Sequence, residues 1–194
     1  MRPRIPIRQI ALTGIMLGIC AILVSTPLGM IPVPTPARYA TIMHVPVIIV
    51  GILEGPIVGG IMGLLFGLIA FAKVPEFGPI VHLLPRPFVG IIPALLYGGL
   101  SYLFRNYQGK LKDTLIIAIA TFTGSMVNTL GVLGLAVILM PKLMPKSVAL
   151  VIGLTSGIPE AIFSVLIAVP VVLAIKKKFA YQYLRTEEKG SLQH

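Results

Sequence analysis

The feature that most constrains this chain is the distance between its charges. No charged side chain occurs between Arg8 and Arg38, and only Glu160 interrupts the stretch from Lys146 to Lys176. A helix that crosses a bilayer needs ~20 mostly apolar residues. Runs of this length have no place in a water-soluble domain, which could not hide the apolar surface they carry. Composition agrees: 56% of the 194 residues are hydrophobic and only 11% are charged, where soluble chains average about 25% charged. The bilayer is the natural solvent for such a chain.

Cutting the sequence at its charged and proline-rich breaks predicts an all-α membrane protein with six transmembrane helices, at about 7–25, 43–53, 56–72, 79–104, 114–139 and 148–175. These use nearly the whole chain, so one integral membrane domain is expected over 1–194, with a polar, mobile C-terminal tail at 176–194. Four prolines between Pro27 and Pro36 cannot continue a helix, and that stretch reads as a stiff apolar loop. Glu54-Gly55-Pro56 reads as a tight turn. With six spans, both ends share one face of the membrane. That face holds eleven Lys and Arg against five for the other. Cytoplasmic loops carry the excess of positive charge, so both termini are expected in the cytoplasm and the proline loop outside, in the plasma membrane.

The net charge of +10 does not suggest nucleic acid, because the basic residues sit at the ends of apolar runs. The basic start at Arg2, Arg4 and Arg8 lacks a small-residue cleavage site after it, so no signal peptide is expected. The single cysteine, Cys20, allows no internal disulfide. The chain contains no G-x-x-x-x-G-K-[ST] phosphate loop, no H-E-x-x-H, no Cys/His cluster and no G-x-S-x-G elbow. No metal, cofactor or catalytic residue is expected, and ATP-driven work would have to come from partners.

Polar groups inside spans are expensive and usually face an interior cavity. Arg86 lies about seven residues into the fourth span, ~10 Å deep at 1.5 Å per residue. Glu160 lies in the outer half of the sixth, His44 opens the second, His82 is one turn before Arg86, and Asn128 is near the middle of the fifth. Together they predict a polar cavity open to the outside. Direct pairing of Arg86 with Glu160, to stabilise the bundle, is the structural alternative, and Glu160 could serve to orient Arg86. Span 1 carries Gly14-Ile15-Met16-Leu17-Gly18, and span 3 carries Gly59, Gly60, Gly63 and Gly67. Small residues at four-residue spacing let helices approach closely, within the bundle for span 3 and against another membrane subunit for span 1.

Several segments in order carry a resemblance. They are Thr41-Ile42-Met43-His44-Val45-Pro46-Val47-Ile48-Ile49, Gly51-Ile52-Leu53-Glu54-Gly55-Pro56, Leu84-Pro85-Arg86, Gly124-Ser125-Met126-Val127-Asn128-Thr129 and Ser156-Gly157-Ile158-Pro159-Glu160-Ala161. From about Ile10 to Lys178 the chain resembles an S component, the substrate-binding membrane subunit of an energy-coupling factor (ECF) vitamin transporter, with motifs nearest the pantothenate-type branch. The resemblance implies a six-helix S-component bundle that captures a vitamin or precursor from outside. It implies docking to a transmembrane coupling subunit and two cytoplasmic ATPases, with the S component toppling to release its cargo. Small residues on the first helix make that contact in the family, often as A-x-x-x-A; here the stretch offers Ala11, Gly14, Gly18 and Ala21. The candidates for substrate contact are Arg38, Thr41, His44, His82, Arg86, Asn128 and Glu160. Pantothenate, a carboxylate, suits Arg86 or Arg38; riboflavin, pyridoxine and hydroxymethylpyrimidine are the alternative substrates. A small intramembrane enzyme using Glu160 with His44 or His82 as acid and base, and an autonomous secondary transporter or channel, are the competing classes.

Overall fold

Proline and glycine divide the apolar sequence into helices of very unequal length. The computed structural model describes residues 7–32, 39–107 and 109–191. Helix α1 (Ile7–Ser25) ends just before Pro27, and a short 3-10 turn at Pro27–Gly29 leads into strand β1 (Met30–Pro32). Strand β2 (Tyr39–Thr41) pairs antiparallel with β1, Met30 opposite Thr41 and Pro32 opposite Tyr39. The loop expected between the first two spans is therefore closed by a small hairpin. Its proline-rich tip, residues 33–38, lies outside the described residues.

Helix α2 (Val45–Glu54) takes Pro46 in its first turn, where the missing N–H is not needed. It stops at Gly55, whose φ of 93° is open to glycine and costly for other residues. Helix α3 (Pro56–Lys73) starts at once. The fourth span is broken: α4 (Gly78–Leu83) and α5 (Arg86–Leu103) meet at Leu84–Pro85, because Pro85 and Pro87 lack the N–H groups that would carry one ladder through. Helix α6 (Lys110–Leu139) is followed by α7 (Lys146–Ile152), a π-turn at Gly153–Gly157, and α8 (Ile158–Ser191). The tail expected after residue 175 is thus helical to Ser191. Lys, Phe, Ala, Gln, Leu, Arg and Glu there contain no strong breaker before Gly190.

Among the described residues, four segments are long and apolar enough to cross a membrane: Pro56–Lys73, Pro75–Leu103, Lys110–Leu139 and Lys146–Lys178. With α1 and α2 they form a six-segment, all-α membrane bundle. Its surface is inverted relative to a soluble protein: Ile15, Ile61, Leu95, Leu115, Ile119 and Leu166 are among many large apolar side chains facing outward. Lipid is the medium that such a surface fits.

Helix α2 sits at the centre, packed against α1, α3, α5, α6 and α8. Every residue from Val45 to Ile52 is buried, as expected of a helix that is apolar all round. Its contact with α3 and α5 is backbone on backbone. A Cβ built on Gly59 would lie 2.7 Å from the Gly51 Cα and 2.9 Å from the Gly90 oxygen, so only glycines allow this crossing. With Gly51 opposite Gly59 across the turn at Gly55, the antiparallel register carries His44 to about the level of Phe66. Helix α3 continues seven residues further to Lys73. At 1.5 Å per residue, the start of α2 is recessed by about 10 Å below the end of α3. The hairpin leads into that start of α2, and β2 packs against α8 and the π-turn before it.

Candidate functional site

Two polar stripes meet the start of α2. On α6, Thr121, Ser125, Asn128 and Thr129 are all buried. Ahead of and along α8, Ser156, Glu160 and Ser164 are buried as well. Spacings of three and four residues keep each set on one helical face. Helices α6 and α8 pack side by side, so the stripes form one polar seam. In an apolar bundle such groups need partners.

Arg86, the first residue of α5, donates from Nη1 to the Asn128 Oδ1 at 2.7 Å. Its guanidinium carbon lies 4.3 Å from the centre of the Phe66 ring. Glycine clears the way for it: a Cβ on Gly67 would fall 3.1 Å from the Arg86 Cγ. Glu160 accepts from the Thr41 backbone N–H at 2.8 Å and the Thr41 hydroxyl at 2.9 Å, both on Oε1. Its Oε2 accepts from the Thr129 hydroxyl at 3.3 Å. Arg86 and Glu160 form no ion pair within 4.0 Å; among the described residues an ion pair is seen at Lys112–Asp113. The two interior charges are served by separate neutral partners, so direct pairing does not explain them.

His44 is fully buried at the start of α2. Its Nε2 lies 2.9 Å from the Ser125 Oγ and 3.1 Å from the Ser164 Oγ. Ser164 donates to the Glu160 carbonyl at 2.7 Å. One residue earlier, the Met43 carbonyl accepts from the Cys20 thiol at 3.5 Å. His82 is engaged elsewhere: its Nε2 lies 2.8 Å from the Val74 carbonyl, with its ring between Phe71 and Phe77. That contact ties α4 to the end of α3. Arg38 lies outside the described residues. Of the expected site residues, the structure therefore joins Arg86 with Asn128 and Thr41 with Glu160, seats His44 at the base of the seam, and sets His82 apart. Among the described residues, the buried Arg86 Nε, His44 Nδ1 and Ser156 Oγ have no hydrogen-bond partner. Such atoms are uncommon in a packed interior.

On α1, Leu12, Met16 and Cys20 point into the core. Ala11, Gly14 and Gly18 are exposed and Ala21 is half-buried. Nothing lies within 4 Å of a Cβ built on Gly14 or Gly18. The small-residue face is open along its length.

Residues 8–172 match the family model of the ECF transporter, substrate-specific component. The chain belongs to this family. Comparison with curated proteins returns no match. As an ECF substrate-specific component, it is a multi-pass membrane protein of a class that binds a small-molecule substrate and works with a membrane coupling subunit and ATPases. The class is one of transport subunits rather than enzymes.

Several residues of this S component's seam escape a reading based on charge alone. Thr129, Ser125 and Ser164 hold Glu160 and His44, and Phe66 carries the Arg86 guanidinium. The four-residue spacings Thr121–Ser125–Thr129 and Ser156–Glu160–Ser164, in helices otherwise apolar, were the available signal for the hydroxyl residues. Phe66 offers no such signal.

Proposed function

We propose that the recess under the hairpin captures a vitamin or vitamin precursor bearing a carboxylate, with pantothenate as the first candidate, and that this chain delivers it to an ATP-driven import complex. One observation carries the reading. Arg86 is a buried cation whose described polar partner is a neutral amide, Asn128, and its Nε has no partner among the described residues. A charge at this depth costs ~2.5–3.5 kcal/mol on insertion scales. An anionic ligand would supply both a counter-charge in direct contact and the missing acceptor, and the planar fork of arginine suits a carboxylate. Phe66 backs the guanidinium, and the other polar atoms of the seam suit hydroxyl and amide groups on the same ligand.

The ligand enters from outside the cell. Both termini lie in the cytoplasm, on the eleven-to-five count of Lys and Arg. Lys176, at the end away from the hairpin, reaches the Tyr97 hydroxyl and ring, as a cation does at a membrane interface. The open face of Ala11, Gly14, Gly18 and Ala21 is the contact for the coupling subunit, and the two ATPases act through that subunit.

Mass spectrometry of small molecules that co-purify with the protein tests the substrate. Calorimetric titration with pantothenate, riboflavin, pyridoxine and hydroxymethylpyrimidine follows. Tight binding of pantothenate alone is the expected result. Tight binding of pyridoxine or hydroxymethylpyrimidine, with none of pantothenate, would overturn the carboxylate assignment.

A further inference from the structure

The Glu160 carboxylate is largely taken up by this chain's own groups. Oε1 accepts twice from Thr41, once from the backbone and once from the hydroxyl, and Oε2 accepts from Thr129. The Thr41 bonds span 119 residues of sequence and join β2 to α8. Hydrogen bonds to an ionised acceptor are roughly twice as strong as neutral ones. A two-stranded hairpin is marginal by itself, and this one has three residues in each strand. Its position therefore depends on what holds it to the bundle.

The hold is concentrated on one short segment. Thr41 is fixed by Glu160, the Met43 carbonyl by Cys20, and His44 by Ser125 and Ser164. Glu160 and Ser164 are four residues apart on α8, and Ser164 also bonds the Glu160 carbonyl. One face of α8 thus grips both ends of the link between hairpin and α2. The Glu160 grip is the outer one, next to the strand.

We propose that Glu160 is the latch of the hairpin: a positioning residue that acts through Thr41 and sets how often the recess opens, rather than a residue that touches substrate. The proposal rests on the recess being the binding site. Ligand entry and exit require β2 to leave α8, so breaking the latch speeds both. The affinity then changes less than either rate, since the ligand's own contacts, centred on Arg86, remain.

Hydrogen exchange followed by mass spectrometry on the purified full chain in lipid nanodiscs tests the latch without any ligand. In Glu160→Ala, amides of the peptide covering residues 39–43 should exchange about tenfold faster or more, as expected for loss of bonds to a charged acceptor, while peptides of α3 and α5 are unchanged. Thr41→Val, which keeps the backbone bond and removes the hydroxyl, should give a smaller acceleration in the same peptide. Unchanged exchange at 39–43 in Glu160→Ala, or acceleration spread evenly over the bundle, would overturn the proposal. If Glu160→Ala does not purify, Thr41→Val and Glu160→Gln decide by the same criterion. Stopped-flow binding with pantothenate as the probe gives the second readout: association and dissociation should both quicken in Glu160→Ala. A variant that loses affinity through dissociation alone would make Glu160 a ligand contact. Failure of pantothenate to bind the unmodified protein would refute the substrate reading and leave the exchange result to judge the latch.

Discussion

Arg86→Ala separates the site from the scaffold, because its costs and gains to the scaffold offset each other while its cost to binding does not. For the scaffold, the change removes a bond of 2.7 Å to Asn128 and a stacking contact at 4.3 Å on Phe66. Leaving the Asn128 acceptor unpaired costs ~1–3 kcal/mol. Removing a buried cation from a membrane segment returns ~2.5–3.5 kcal/mol on insertion scales. The two nearly cancel, so the variant should insert and purify as the unmodified protein does. For binding there is no such offset. One charge-assisted hydrogen bond to a ligand carboxylate is worth ~1.5–3 kcal/mol, which corresponds to a loss of about 10- to 150-fold in affinity. Arg86→Lys keeps the charge and loses the planar fork, so it should fall between the two. The assay is calorimetric titration of nanodisc-embedded protein with pantothenate, alongside thermal unfolding of each variant. Normal pantothenate affinity in Arg86→Ala would refute the reasoning and move the carboxylate contact to another residue, Arg38 first.

Three further outcomes are expected. In a Cys20→Ala background, a cysteine at Leu28, which is exposed beside the hairpin, should label with a membrane-impermeant reagent on intact cells, and one at Tyr107 should not; the reverse pattern would invert the topology. Replacing Gly14 and Gly18 with leucine should abolish transport by the assembled complex while pantothenate binding by the isolated chain survives, and joint loss of both would make α1 a folding element only. Gly90→Ala drives a Cβ into the Gly59 backbone and should lower the unfolding temperature by an amount corresponding to ~1–3 kcal/mol. Gly98→Ala, with open space around it, should be neutral or slightly stabilising; equal effects at the two positions would refute the backbone-contact account.

The helices were legible because partition into a bilayer depends on composition, and charge-free runs reveal composition directly. Depth along a span was legible too, since it needs only a count of residues from the nearest charge. Azimuth was not. Arg86 and Glu160 could both be placed inside the bundle from sequence, yet their partners Asn128 and Thr41 depend on which way each helix is turned and on where the hairpin folds back. His82 shows the same limit: one turn from Arg86 along the helix, it is spent on the Val74 carbonyl. Pro85 and Pro87 mark the α4–α5 break in retrospect, but prolines inside membrane helices are common enough that the run reads as continuous. The helical tail was missed because polarity was taken for irregularity.

Helix α2 has a consequence for how the protein meets membranes of different thickness. At ten residues it is about 15 Å long, half of a ~30 Å hydrocarbon core. Facing lipid, a helix this short would force the bilayer to thin around it or tilt the protein. Its residues from Val45 to Ile52 touch only protein, so no lipid feels the shortfall. The shortfall of nearly three turns, at 5.4 Å each, falls on the side of a hairpin whose strands satisfy each other's backbone groups, the condition for irregular chain at membrane depth. Thicker or thinner bilayers therefore load the lipid-facing helices, while the register of His44 against α6 and α8 is set inside the protein and stays the same from one membrane to the next.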